Sequence, residues 1–138
     1  MSVHQQLLEI STQGRSLRNV TAEVQEVVRR SGIEVGLCTI FMQHTSASLV
    51  IQENADPSVV RDLQRWMGEI APEGRAWEHD AEGADDMPAH ARSAITKTSE
   101  SIPVRSGVLA LGTWQGLYIW EHRQRPHRRT LVVHVQGE

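Results

Sequence analysis

Leu37-Cys38-Thr39-Ile40-Phe41-Met42-Gln43-His44-Thr45-Ser46-Ala47-Ser48-Leu49-Val50-Ile51 places a histidine and three hydroxyls between two apolar runs. Leu37 to Met42 reads as one strand and Leu49 to Ile51 as the next. Side chains alternate along a strand, so His44 is expected on the face of Ile40 and Met42. A polar ring ending an apolar face marks a site at the rim of a core. Imidazole there can bind a metal or move a proton near neutral pH.

Outward from this hinge, Val3 to Thr12 predicts an opening strand. Asn19 or Thr21 can cap a helix carrying Val20, Val24, Val27 and Val28, stopped by Gly32. Asp56-Pro57 predicts a second helix with Val59, Val60, Leu63, Met67 and Ile70 as its buried stripe. Residues 72 to 88 are polar, with Pro72, Gly74, Gly83 and Pro88, and read as a long functional loop. A short helix from about Pro88 to Thr96 follows, and then strands over 102–104, 107–113, 116–121 and 130–136. Helices interrupting a mostly antiparallel strand set define an α+β pattern.

The chain has 138 residues, and neither linker nor repeat divides it, so residues 1–138 are expected to form one domain. Only six residues are aromatic, four of them Trp, so Val, Ile, Leu and Ala must fill the core. A formal net charge of −3 supplies no electrostatic reason to expect nucleic acid or an anionic membrane as partner. The single Cys38 excludes an internal disulfide and fits a reducing compartment. Without a signal-peptide pattern or an apolar run near the ~20 residues of a spanning helix, a cytoplasmic protein is expected.

Seven histidines raise the question of chemistry. His4, His127 and His134 fall on terminal or solvent-facing positions, and His122 follows Glu121 in a basic run. His79 lies in the long loop, and His90 in the first turn of the short helix, where the dipole favours a neutral ring. His44, His79 and His90 could supply three zinc ligands and leave a position open. Equally, each ring could hydrogen-bond its neighbours at a core edge. Glu53 and Glu121 end apolar strand faces, where carboxylates serve as bases, ligands or salt-bridge partners. Asp56, Asp85 and Asp86 have capping explanations, and Asn54 suits a turn or a ligand contact. Thr45, Ser46 and Ser48, with Arg123, Arg125, Arg128 and Arg129, could take a phosphate. Otherwise the arginines form a solvated hairpin.

Four segments taken in order carry a family resemblance. They are Gln43 to Leu49, Glu53-Asn54-Ala55-Asp56-Pro57, Asp85-Asp86-Met87-Pro88-Ala89-His90, and Leu109 to Gly116. Together, with His79 between them, they closely resemble the YjbQ-type family, whose members carry the name secondary thiamine-phosphate synthase. The resemblance implies a two-sheet β-sandwich with two or three helices, assembled as a homotrimer. It implies a metal-binding or catalytic cluster of His44, His79 and His90 at a subunit-edge pocket. The implied activity joins hydroxymethylpyrimidine diphosphate to thiazole phosphate, releasing diphosphate. Many members continue after the position of Glu121 with an acidic residue, Gly, Pro and Arg, where this chain has His122-Arg123-Gln124-Arg125-Pro126.

The resulting expectation is a divalent metal, zinc, on His44, His79 and His90. His44 with Asp86 or Glu121 would orient a ligand or move a proton. Thr45 and Ser46 would donate to a phosphate oxygen of a small-molecule substrate, Asn54 would hold it, and Trp114 and Gln115 would define its organic end. A metal-dependent hydrolase and a non-catalytic trimeric binder are the other expected classes.

Overall fold

A computed structural model describes every residue from Met1 to Glu138. The elements run β1 (Ser2–Thr12), β2 (Ser16–Asn19), α1 (Thr21–Ser31), β3 (Val35–Met42), β4 (Ala47–Glu53), α2 (Pro57–Ile70) and α3 (Asp86–Ile95). Then come β5 (Ser99–Arg105), β6 (Val108–Leu109), β7 (Gln115–Glu121) and β8 (His127–Gly137). Antiparallel pairing builds a five-stranded sheet, β1-β8-β3-β5-β6, and a three-stranded sheet, β2-β7-β4. The fold is α+β, and the two sheets share one apolar core with α1. Cys38, Ile40 and Met42 of β3, Leu131, Val133 and Val135 of β8, and Leu117 and Ile119 of β7 are sealed in it. Period-two alternation makes these faces, and burying such a side chain stabilises the fold by about 1.5–3 kcal/mol.

Local signals place the helices. Gly32 ends α1 in the left-handed region at φ 70°, and its N–H donates to the Arg29 carbonyl. Asn19 Oδ1 accepts from Thr21 N–H at 3.0 Å and from its hydroxyl at 2.7 Å, so both candidate cap residues act at one corner. Asp56 caps α2 through Ser58 N–H, with Pro57 in the first turn. Where β3 and β8 cross their ends, Gly36 and Gly137 pair, and a Cβ on Gly36 would sit 2.1 Å from the Gln136 carbonyl oxygen. Only glycine permits that approach.

The other face of β7 meets the remaining helices. Trp120 donates its indole N–H to Gln64 of α2 at 2.8 Å, and buried Arg92 of α3 donates to the Ala71 carbonyl at 2.9 Å. Ala71 is the C-cap of α2, so the guanidinium meets the negative end of that helix dipole. Underneath, His122 is completely buried, with Nε2 2.8 Å from Ser48 Oγ.

Several local expectations change. The expected stripe of α2 is sealed only at Met67, and Ile70 remains exposed, as does Trp66 outside that stripe. The 107–113 strand shrinks to Val108–Leu109, because Gly112 and Gln115 close a turn through Gln115 N–H and the Gly112 carbonyl. The polar β2 had no periodic signal, and its pairing with β7 makes it a strand. The helix expected at Pro88 begins at Asp86. No helix is long and apolar enough to cross a membrane.

Burial pushes the His122 imidazole down from 6.5 to about 3. The unfolded chain therefore takes up the proton first. The stabilising contribution of neutral His122 is complete above pH ~6.5 and is lost as the pH falls toward 3. Urea midpoints followed by circular dichroism should drop between pH 7 and 4.5, with a limiting slope of about 1.4 kcal/mol per pH unit. In His122→Gln the drop should be clearly shallower. Equal slopes in the two proteins would place the acid sensitivity elsewhere.

Candidate functional site

Asp86 and His90 stand one helical turn apart at the start of α3, and the preceding loop folds His79 back over them. His79 Nε2 lies 2.9 Å and His90 Nε2 3.4 Å from the same oxygen, Asp86 Oδ2. The two rings meet edge to face with centroids 5.7 Å apart. One ligand atom from each of the three residues falls within 4.8 Å of the others. This spread suits a donor set that contracts onto a single ion.

The second carboxylate oxygen has a different partner. Arg123 Nη1 donates to Asp86 Oδ1 at 2.9 Å, Arg123 Nε donates to Asp85 Oδ2 at 2.9 Å, and Nη2 reaches the Glu82 carbonyl at 3.0 Å. Burial works to raise the Asp86 pKa, but the His79 hydrogen bond and the charges of His90 and Arg123 outweigh it and hold the carboxyl below its usual range. Asp86 is thus an ionised, buried carboxylate with one oxygen clamped and the other aimed at two imidazoles. Neither Asp85 nor Asp86 caps α3 with its side chain, because both are engaged by Arg123 and Asp85 also accepts from Gln124 N–H. The basic run is not a free four-arginine phosphate cluster: with Arg123 held by the aspartates, Arg128 pairs with Glu9 and Arg129 with Glu121, and only the exposed Arg125 makes no ion pair.

His44 lies beside this set without joining it. β3 stops at Met42, so strand alternation ends before residue 44 and the ring turns out to an exposed position. Its Nδ1 accepts from Ser46 N–H at 3.1 Å and lies 2.9 Å from Ser46 Oγ. His90 is close enough for its charge to act on His44. The central third partner is Asp86, not His44.

Glu121 is fully buried and takes Arg129 Nε at 2.7 Å and the Thr12 hydroxyl at 2.6 Å. Such a carboxylate is sealed from any substrate. Ser46 is buried too and spends its hydroxyl on Arg129 and His44, whereas Thr45 is exposed. Asn54, Trp114 and Gln115 gather at the other end of the small sheet, where Asn54 N–H donates to the Trp114 carbonyl at 2.9 Å. Register pairs Glu53 with Gln115 and Ala47 with Glu121, so the length of β7, about 20 Å, separates these residues from Ser46 within the chain. Asp86 was expected as an orienting or proton-moving group, but its i, i+4 spacing to His90 sets both on one helix face and is the signal that joins them. Arg123 had no sequence signal beyond its charge.

The family model of "UPF0047 protein YjbQ-like" matches residues 6–138. UPF0047 protein sll1880 of Synechocystis is 60% identical over 136 residues, covering 98% of this chain and 92% of that protein. UPF0047 protein YjbQ of Salmonella typhimurium is 41% identical, covering 98% and 99%. A crystal structure from Sulfolobus solfataricus, described as a YbjQ-like protein of unknown function, superposes with a TM-score of 0.87 at 27% identity and 99% coverage of both chains. An uncharacterised conserved protein of the family from Clostridium acetobutylicum gives 0.84 at 32% identity, covering 94% of this chain and 99% of that one. These relatives correct the expected activity: they carry the designation of an uncharacterised family, and none is named a thiamine-phosphate synthase. Matched over nearly its whole length, the chain belongs to the UPF0047 family of YjbQ-like proteins.

Proposed function

We propose that this protein binds one divalent transition-metal ion through His79, Asp86 and His90 and acts on a small anionic molecule there. The convergence of two imidazole nitrogens on one clamped carboxylate oxygen carries the reading. Two neutral nitrogens and one carboxylate suit zinc, and three protein ligands leave room for others. When bound, such an ion supplies Lewis acidity to water or to a ligand oxygen. The protein's part is orientation. Arg123 keeps Asp86 Oδ1 occupied and so presents Oδ2, as outer partners of metal ligands do. One carboxylate against a dication leaves net positive charge, which favours an anion. Beside His79, a cavity of about 240 Å³ walled by Arg75, Trp77, Asp80 and Met87 offers space for a small molecule.

Chelator-stripped protein reloaded with zinc should hold one ion per chain by elemental analysis. His79→Ala, Asp86→Ala and His90→Ala should each weaken zinc binding at least tenfold. Undiminished zinc affinity in all three variants would sink the assignment.

We also propose that the chain assembles as a homotrimer through the outer face of its five-stranded sheet. Register aligns Leu7, Val132 and Phe41 in one row and Val3, Gln136 and Leu37 in another. Leu7 is 62% and Phe41 46% exposed, and no helix covers them. The two rows, with Gln5, His134 and Thr39 between them on the same face, present exposed apolar side chains that suit a second copy of the chain better than water. Light scattering after size exclusion should give three times the 15.5 kDa chain mass, and Leu7→Glu with Phe41→Glu should give the monomer. A monomeric parent protein would overturn this assembly.

A further inference from the structure

We propose that His44 is a fixed N–H donor beside the metal site, presenting Nε2–H to an oxygen of the anionic ligand, and is not itself a metal ligand. A backbone amide can only donate, so the Ser46 N–H at 3.1 Å from Nδ1 requires a lone pair on that nitrogen. The Ser46 hydroxyl points the same way. Its oxygen accepts from Arg129 Nη2 at 2.9 Å, and a guanidinium has no acceptor, so the single hydroxyl hydrogen is left for His44 Nδ1 at 2.9 Å. Arg129 is held in turn by Glu121, which also accepts from Thr12. This buried chain of donors begins on β1 and β7, passes through β8 and ends on one imidazole nitrogen. With Nδ1 acting as acceptor, the neutral ring carries its proton on Nε2.

That proton decides the role. A protonated nitrogen has no lone pair for a metal, and Nδ1 already faces two donors. Charging the ring would set an Nδ1–H against the Ser46 N–H. Burial, and then the positive charge of Arg129, also lower the His44 pKa, so the ring stays neutral near pH 7. Nε2 makes no hydrogen bond within the chain, and the side chain is exposed. α3 is seated on this corner by Ser93, whose hydroxyl lies 3.5 Å from the Ala47 carbonyl, and His90 is among the charges His44 feels. The exposed Thr45 hydroxyl follows directly in the chain. A metal on one side and a neutral N–H donor on the other recognise an oxyanion: the ion binds one oxygen, and the imidazole selects for a second acceptor. His44 is therefore a specificity-determining residue, and Ser46, Arg129 and Glu121 are its positioning residues.

The placement beside a metal rests on the reading above, but the tautomer does not, and the experiment separates them. Long-range proton–nitrogen correlation spectra of metal-free, 15N-histidine-labelled protein at pH 7 should show His44, assigned by its loss in His44→Ala, with a protonated Nε2 and an unprotonated Nδ1. Zinc should then shift His79 and His90 and leave the His44 tautomer unaltered. In the cobalt-loaded protein, inorganic phosphate titrated against the visible spectrum should bind about tenfold more weakly to His44→Ala, while that variant still holds one metal per chain. A protonated Nδ1, metal lost on His44→Ala, no response to phosphate in the parent protein, or equal phosphate affinity in the two proteins would overturn the role of His44. Failure of the parent protein to bind zinc or cobalt would instead overturn the metal reading, with the metal-free spectrum still deciding the state of the ring.

Discussion

Glu121 and Arg129 form an ion pair sealed from solvent between the two sheets, and the polar corner of the molecule is arranged around it. The carboxylate ends β7 of the small sheet, and the guanidinium stands near the start of β8 in the large one. Desolvating two charges costs several kcal/mol each, and their attraction offsets this only when the remaining hydrogen-bonding positions are filled. Here most of them are. Thr12 and the Arg123 N–H also donate to the carboxylate, and Ser46 accepts from Arg129 Nη2 through its hydroxyl and its carbonyl. The pair lies on the core side, where the apolar faces of β7 and β8 run out. It joins the sheets by direction as well as by proximity.

A second polar layer rests on the first. The turn after Glu121 carries Arg123 to Asp85 and Asp86 at the start of α3. Asp86 receives its orientation from that arginine and passes it to His79 and His90. On the other flank, Arg129 orients Ser46, and Ser46 orients His44. The turn after β7 and the start of β8 thus supply the two supports, Arg123 for the histidine pair and Arg129 for the lone histidine. Networks of this kind couple strongly, because a partner removed from a low-dielectric interior leaves the others unsatisfied.

Much of the fold was legible because it rests on periods that survive in one dimension. The alternation of Cys38, Ile40 and Met42 and the helical spacing of Val20, Val24, Val27 and Val28 both became core, and Asp56-Pro57 and Gly32 marked helix ends as their chemistry dictates. Parity failed at His44 because alternation holds only while a strand continues, and β3 ends two residues earlier. For the candidate site, the histidines in the loop and on the helix were visible, and Asp86 was legible as an orienting or proton-moving group but not as their common partner. A carboxylate two residues before a proline near a helix start also reads as a cap, and only the fold of the 122–126 turn shows that Arg123 claims it instead. Asn54, Trp114 and Gln115 were grouped with the histidines through motif order, which carries no distance. Strand register separates them by the length of β7.

The arginine run shows why charge in a sequence is a poor guide to ligand charge. Arg123, Arg125, Arg128 and Arg129 all fall within seven residues and suggest a cradle for phosphate. Alternation along β8 sends Arg128 outward to Glu9 and Arg129 inward to Glu121, while the turn sends Arg123 sideways to two aspartates. Those three positive charges are matched within the chain before any ligand arrives, and only the exposed Arg125 of the run makes no ion pair. What the corner leaves uncommitted is two imidazole nitrogens, one carboxylate oxygen, the Nε2 of His44 and, toward solvent, the guanidinium groups of Arg75 and Arg125. On the metal reading proposed above, a cation bound to those donors would supply the attraction for an anion at the histidine pair. Arg123 and Arg129 act as struts that aim the donors, and on that reading the electrostatics of recognition would pass from side chains to the bound ion.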